Sequence, residues 1–460
     1  MSDETEGLTK RLHTRREFLK IAGVAGATVG LGAGLGGLAT ACGGTEETTT
    51  TAGPATTAGP TTTAAAGATT TTAVAATTTT GMPYAGGKKV LDSFYTLDQV
   101  FWQQWDRGAQ AACAALGLEH IRLVDNSDVN VQISGFENAP TQEINMAVSI
   151  AWSQASSAQI GKICQDNRIW WCNVWSNSPW STPLDIGDYY VTWITASDEI
   201  AGYTVAKGLF EKVGSAGEFI HIEGQPGNSA SDLRNVGVDK ALAEFPNIKM
   251  VARQPGNFNR SESRAVMDDL LIAHPDVKCA MGQNDDAAIG VWNSCEAAGK
   301  TTVAVGGIDG IPEMIDLVEQ GKTAMTIAVH PPWEAGYLIV TAYDAANGWK
   351  PTTPERMMYW GGVLLNTKEK AATYNQAVYK GAEIGFDWKL MSRVLNPDTW
   401  DPQCLLYPID PEVIWKSAEK PAGYQTPQAY ADSKSTGEWD KITQLYKDHF
   451  KSGPLFELLK

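Results

Sequence analysis

From Lys89 onward, short apolar runs rich in β-branched and aromatic residues alternate with stretches whose apolar residues recur at helical spacing. This is the pattern of βα units laid on a parallel sheet. The first set of runs predicts strands at Lys89–Phe94, His120–Val124, Asn145–Ile150, Trp170–Val174 and Tyr190–Ile194. Between the first two, Trp105, Ala109, Ala112 and Leu116 fall on one helix face, with Asp98 as the expected N-cap. A second set predicts strands at Phe219–Glu223, Met250–Gln254, Cys279–Gly282, Val303–Gly306 and Ala324–Ala328. Its helices are expected at Ile200–Val213, Ala230–Phe245, Arg260–Ala273, Asp286–Ala298 and Pro312–Gln320. Two successive α/β halves imply two similar Rossmann-like lobes, each with its ligand-facing edge at the carboxyl ends of its strands. The cleft between them is the natural site.

At 460 residues the chain has room for about three domains at roughly 150 residues each. Its 36 Lys and Arg against 52 Asp and Glu give a net charge of −16, which argues against a nucleic-acid partner, since tracking phosphates needs a positive face. Seven cysteines without a C-x-x-C pair, and six scattered histidines, indicate no metal site, and no cofactor is implied. Sixteen tryptophans suggest apolar faces to bury or ligands to stack on.

The amino-terminal part reads differently. Thr14-Arg15-Arg16-Glu17-Phe18-Leu19-Lys20, followed by a Gly/Ala-rich apolar stretch to Ala41, resembles a twin-arginine export signal; a poor membrane anchor is the other reading. Leu38-Ala39-Thr40-Ala41-Cys42 resembles the lipobox of prokaryotic lipoproteins, although Ala39 stands where the family usually has Leu. Lipidation of Cys42 is expected, with plain cleavage as the alternative. Residues 43–82 hold eighteen threonines and only Glu46 and Glu47 as charges, a composition too poor in apolar groups to offset the entropy of ordering. A tether of forty such residues reaches about 30–40 Å. The expected organisation is therefore a signal over 1–42, a tether over 43–87, an N-terminal lobe from 88–197 plus 330–348, a C-terminal lobe over 198–329, and an extension over 349–460 packed on the lobes.

Within the folded part several stretches occur in a telling order: Phe101-Trp102, Glu223-Gly224-Gln225-Pro226-Gly227, Leu233-Arg234-Asn235-Val236-Gly237, Gln254-Pro255-Gly256-Asn257-Phe258-Asn259-Arg260, Gln283-Asn284-Asp285, Gly307-Ile308-Asp309-Gly310 and Gly321. From Lys89 to about Gly348 the chain resembles the type 1 solute-binding proteins of prokaryotic ABC importers, in the ribose- and galactose-binding group. That resemblance implies two Rossmann-like lobes joined by a hinge of three crossing strands. It also implies a lipid-anchored extracytoplasmic receptor, acting as a monomer, that closes on a carbohydrate-like solute and delivers it to a permease with its ATPase. A sensory module that presents the closed form to a chemoreceptor or kinase has the same fold and is the alternative.

A sugar offers hydroxyls that want paired donors and acceptors, and a C–H face that wants an aromatic ring. By resemblance, Phe101 and Trp102 stack from the first lobe, with Gln99 where the family often has Asn; the alternative is that one of the two is only a core anchor for the helix, but because a helix start at the cleft edge should not lie in deep core, Trp102 is expected at the ligand. Arg234 corresponds to the arginine that donates from the second lobe, or else to a surface ion pair. Phe258 corresponds to the second stacking aromatic, Asn284 to an amide at the mouth or a mere helix cap, and Asp309 to the carboxylate that accepts hydroxyl hydrogens or a simple turn residue. Three features depart from the ribose pattern: Trp175-Ser176-Asn177-Ser178-Pro179-Trp180 stands where an Asp-Arg pair is common, Ile308 replaces the aromatic that often precedes the carboxylate, and Val329, followed by His330, replaces the hinge glutamine. A disaccharide, cyclic polyol or glycoside is then as admissible as a pentose. Asp309→Ala and Arg234→Ala are each expected to abolish binding and leave the fold intact.

No nucleophile motif, metal spacing or dinucleotide fingerprint supports an enzyme. Cys279 and Cys295 lie at ends of a βα unit that approach each other, so a disulfide stays open, whereas Cys113 reads as a small buried apolar residue. The extension either reinforces the lobes or rims the cleft with residues such as Trp360 or Trp400, and it ends in an expected amphipathic helix at Trp439–Phe450.

Overall fold

The computed structural model describes residues 88–381 and 384–459, so the export signal with Arg15 and Arg16, the lipidation position Cys42 and the tether lie outside the described residues. Thirteen strands form two sheets. The first lobe is built from β1 (Lys89–Phe94), β2 (Glu119–Val124), β3 (Met146–Ile150), β4 (Trp170–Val174) and β5 (Tyr190–Ala196). Helices α1 (Val100–Leu116), α2 (Val129–Asn138) and α3 (Gln154–Asn167) connect them. The second lobe holds β6 (Gly217–Glu223), β7 (Ile248–Pro255), β8 (Val277–Gly282), β9 (Ala304–Asp309) and β10 (Met325–Ala328). Its helices are α4 (Asp198–Lys212), α5 (Ser229–Glu244), α6 (Arg260–Ala273), α7 (Asp285–Ala297) and α8 (Pro312–Glu319).

The predicted strands are all present, within a few residues of their expected ends, and those covered on both faces are nearly continuous apolar runs. β1 and β3 to β5 are buried along almost their whole length. The sequence also holds three short strands that its periodicity does not reveal. β11 (Met357–Trp360) and β13 (Leu406–Pro408) extend the first sheet, giving the order β13-β11-β5-β4-β3-β1-β2. β12 (Val363–Leu365) pairs antiparallel with β10, giving β12-β10-β9-β8-β6-β7. Residues from the extension thus complete both sheets.

In each sheet the chain reverses its direction of winding at the first strand: β1 lies between β2 and β3, and β6 between β7 and β8. These switch points open a crevice at the carboxyl ends of the strands. After β10 the chain returns to the first lobe through α9 (Pro331–Ala346), which packs along α1 closely enough that a Cβ on Gly108 would sit 2.1 Å from the Pro332 carbonyl oxygen. Farther on, α10 (Lys368–Val378) and α11 (Glu438–His449) belong to the extension. Its last amphipathic helix begins one residue before the expected start.

Asp98 is not the cap of α1. The N-cap is Gln99, in an extended conformation and without a side-chain cap bond, while the amide of Asp98 bonds back to the Thr96 hydroxyl. The six described cysteines, Cys279 and Cys295 among them, are free buried thiols. Burial pushes both of those thiols up to about 12, so neither carries thiolate character at neutral pH. No helix among the described residues is long and apolar enough to cross a membrane.

Candidate functional site

The expected site residues converge from six chain segments, five at carboxyl ends of strands and one, carrying Arg234, within α5. Several sit in left-handed backbone that side chains rarely adopt: Trp175 after β4 (φ 61°), Phe258 after β7 (φ 56°) and His330 after β10 (φ 68°), with Asp309 at φ 141°. Such outliers cost of order 1–3 kcal/mol each and persist where the surroundings over-determine them. β9 runs on to Asp309 itself, so that residue is the last of a strand and not part of a separate turn.

Arg234 lies at the centre. It projects from α5, is 3% exposed, and its Nε donates to Asp198 Oδ1 at 2.8 Å while Nη1 donates to the Gln283 carbonyl at 2.6 Å. Its guanidinium carbon stands 5.3 Å from the Trp175 ring of the first lobe and 5.8 Å from the Phe258 ring of the second. A flat cation between two aromatic faces suits the ring quadrupoles. The ion pair expected as the alternative role of Arg234 therefore exists, but it is buried, so the residue also holds its own lobe together.

Phe258 is half-buried, and its ring lies over Gly224, where a Cβ would come within 2.0 Å of the ring edge. Only glycine admits that approach. The Phe258 carbonyl accepts from Gln99 Nε2 at 3.1 Å, across the cleft, and from Asn284 Nδ2 at 3.4 Å. Asn284 at the same time caps α7 through Oδ1 to the Ala287 amide at 2.9 Å. Its two amide ends thus serve the helix and the cleft loop respectively.

Trp102 is 6% exposed and packs among Phe94, Tyr95, Phe101 and Trp105. The premise that a residue at this helix start stays out of the core is therefore corrected: the first turn of α1 tucks under the loop at Tyr95. Trp102 keeps one polar link to the cleft, from its Nε1 to Gln99 Oε1 at 3.1 Å. Phe101 is buried against it.

The lobes touch at the rim through Asn228 Nδ2 to Ser176 Oγ at 3.2 Å and Gln154 Nε2 to Asp232 Oδ2 at 3.4 Å. Of the two tryptophans expected to rim the cleft, Trp360 packs edge-on against Trp175 at 5.1 Å. Trp400 instead stacks on His449 and under Arg393. A further contact from the extension runs from the Tyr379 hydroxyl to the Gly310 carbonyl, next to Asp309, at 3.0 Å.

One residue of the site escapes sequence reasoning. Glu334, in the first turn of α9 and fully buried, accepts from Trp175 Nε1 at 2.9 Å through Oε2. Burial raises its pKa well above the usual range; Trp175 lowers it, Asp309 and Asp198 raise it, and Arg234 lowers it. Asp309 behaves alike: burial raises it most, Asp285 adds to that, and Arg234 opposes. Asp285 shapes the Asp309 loop by accepting from the Ile311 amide at 2.9 Å and the Thr326 hydroxyl at 2.7 Å. The available signal for Glu334 was a lone carboxylate inside the otherwise apolar run from Pro331 to Val340.

The described residues bring together one trio of metal-ligating type, Asp92, Asp106 and His120. His120 Nε2 lies 2.8 Å from Asp92, which also accepts from Trp105 Nε1, and Arg122 Nε donates to Asp106. These bonds satisfy the trio within the protein.

A family model described as a periplasmic binding protein domain matches residues 93–350. The ribose import binding protein of Salmonella typhimurium is 29% identical over 245 residues, which is 51% of this chain and 77% of that protein. The D-allose-binding periplasmic protein of Escherichia coli is 28% identical, over 51% of this chain and 77% of its own. Among solved structures, a twin-arginine translocation pathway signal protein from Burkholderia phytofirmans superposes with a TM-score of 0.60 at 20% identity, over 62% of this chain and 91% of that one. This last likeness is one of fold.

Proposed function

Since the chain belongs to the periplasmic binding protein domain family, we propose that it is an extracytoplasmic receptor for a sugar, disaccharide or polyol. It closes two lobes on the solute and hands it to an ABC importer. The observation that carries this reading is the placement of Arg234, between Trp175 of one lobe and Phe258 of the other, with Asp309 at the adjoining strand end. A ligand favours closure only by contacting both lobes, and these residues offer stacking faces and charge-assisted hydrogen bonds from both sides. The relatives named for ribose and allose support the carbohydrate class. Binding asks for no chemistry from the chain itself, so the reading is non-enzymatic.

In this account the leader with Arg15 and Arg16 exports the folded protein and Cys42 carries the lipid that anchors it. Incorporation of labelled palmitate that is lost in Cys42→Ser is the expected result for the anchor. For the function itself, the test is a thermal-shift screen of the protein against monosaccharides, disaccharides, polyols, amino acids and nucleosides. A ligand at a hundred times its dissociation constant adds about 2.7 kcal/mol. A raised midpoint with one sugar or polyol supports the reading, and a raised midpoint only with amino acids or nucleosides overturns the carbohydrate class.

A further inference from the structure

The centre of the cleft holds more acidic than basic groups. Asp198, Asp309 and Glu334 are each at most 5% exposed, and one cation, Arg234, acts on all three. Arg234 gives its Nε to Asp198, which leaves Asp309 and Glu334 as the carboxyls facing each other's field. Of Glu334, Oε2 takes the Trp175 indole hydrogen, while Oε1 is buried and has no hydrogen-bond partner among the described residues. A buried carboxyl oxygen without a partner is costly and calls for explanation. The nearby His330 supplies no charge, because its Nδ1 bonds the Tyr374 hydroxyl, its Nε2 bonds the Gly361 carbonyl, and burial holds it neutral at about 4. Asp285 and Asp286 add further negative field from α7, with Arg260 engaged on Asp286.

We propose that Glu334 is a ligand-contacting residue whose free Oε1, together with Asp309, selects a solute bearing an ammonium group beside its hydroxyls, such as an amino sugar. The proposal rests on the solute-binding reading above and deepens it. Trp175 is the positioning residue: its indole fixes one carboxyl oxygen and thereby aims the other. The ammonium supplies up to three donors and the missing positive charge, so it satisfies both carboxylates at once, whereas a neutral hydroxyl brings a single donor.

Calorimetric titration of the protein with matched pairs tests this: D-glucosamine against D-glucose, and D-galactosamine against D-galactose, at a pH where the amine is charged. The amino sugar of a pair is expected to bind at least about tenfold more tightly than its neutral partner. Glu334→Gln, which keeps the Trp175 hydrogen bond and the side-chain shape, is expected to erase that preference, so that the amino sugar and its neutral partner bind alike. Trp175→Phe should reduce the preference without reversing it, and ligand-free melting of each variant controls for the fold. Neutral sugars that bind as well as amino sugars, or a preference that survives Glu334→Gln, would overturn the proposal and leave the carbohydrate reading standing. Binding by no member of either pair would overturn this proposal alone, since the carbohydrate reading is decided by the thermal-shift screen across the wider panel.

Discussion

Arg234→Met, which keeps the side chain's length and removes its charge, separates the two duties that the structure gives this residue. In the wild type, Arg234 and Asp198 are 3% and 1% exposed on their side chains and meet at 2.8 Å. Burial already raises the Asp198 carboxyl, and the Arg234 charge is the largest force holding it down. Without the cation, Asp198 keeps only its weak bond from the Thr195 hydroxyl at 3.3 Å, and the Gln283 carbonyl loses its donor. Removing one partner of a buried pair costs about 3–5 kcal/mol, because the other charge is stranded. The earlier expectation that removing Arg234 leaves the fold untouched therefore gives way to a measurable loss of stability.

Urea unfolding of wild type, Arg234→Met, Asp198→Asn and the double variant closes a thermodynamic cycle. The single variant at Arg234 should lose about 3–5 kcal/mol, and the double variant should recover a large part of that, since no charge is left stranded. Ligand binding should stay lost in the double variant. Arg234→Met as stable as the wild type would refute the reasoning, as would a double variant no better than the single one.

Three further outcomes are expected. His221 is fully buried, neither ring nitrogen has a partner, and burial lowers it to about 3, with Arg253 adding to the effect. Its folded value lies below its unfolded one, so stability falls as pH drops below about 6.5, by about 2 kcal/mol at pH 5. Denaturant melts of His221→Leu should lack that share of the acid loss, and identical pH profiles would contradict it. Gly108→Ala drives a methyl into the Pro332 backbone, so it should cost about 1–3 kcal/mol in the same assay; a neutral effect would mean that α1 and α9 slide apart easily. Asp285→Ala removes both acceptors, so the Ile311 amide and the Thr326 hydroxyl lose their bonds, at about 1–3 kcal/mol each. It should also weaken ligand binding by releasing the Asp309 loop, and unchanged affinity would show that the loop holds without it.

What the chain reveals before folding follows from how each part is held. Most of the ten lobe strands were legible because a strand covered on both faces must be apolar throughout, whereas β2 and β7, at the sheet ends, keep exposed positions. β11, β12 and β13 were not, since three or four residues at a sheet edge carry no period and owe their state to pairing with β5, β10 and each other. Arg234, Phe258, Asn284 and Asp309 could be singled out because the motifs around them resemble those of the solute-binding family. Glu334 lies inside a helix buried on every side, where its neighbours Trp333 and Ala335 read simply as core. The Asp92, Asp106 and His120 trio joins three elements through the β1–β2 pairing and leaves no local spacing to read.

The account turns on a solute gripped from both lobes at once, and the most direct measurement is a calorimetric titration with the strongest ligand from the screen. Wild type is to be compared with Trp175→Ala, which removes a face from the first lobe, and Asp309→Ala, which removes an acceptor from the second. The account predicts that each variant, melting cooperatively on its own, loses affinity by about a hundredfold or more, near 2.7 kcal/mol or above. Wild-type affinity in either variant would contradict a two-sided grip and place the ligand elsewhere on the protein.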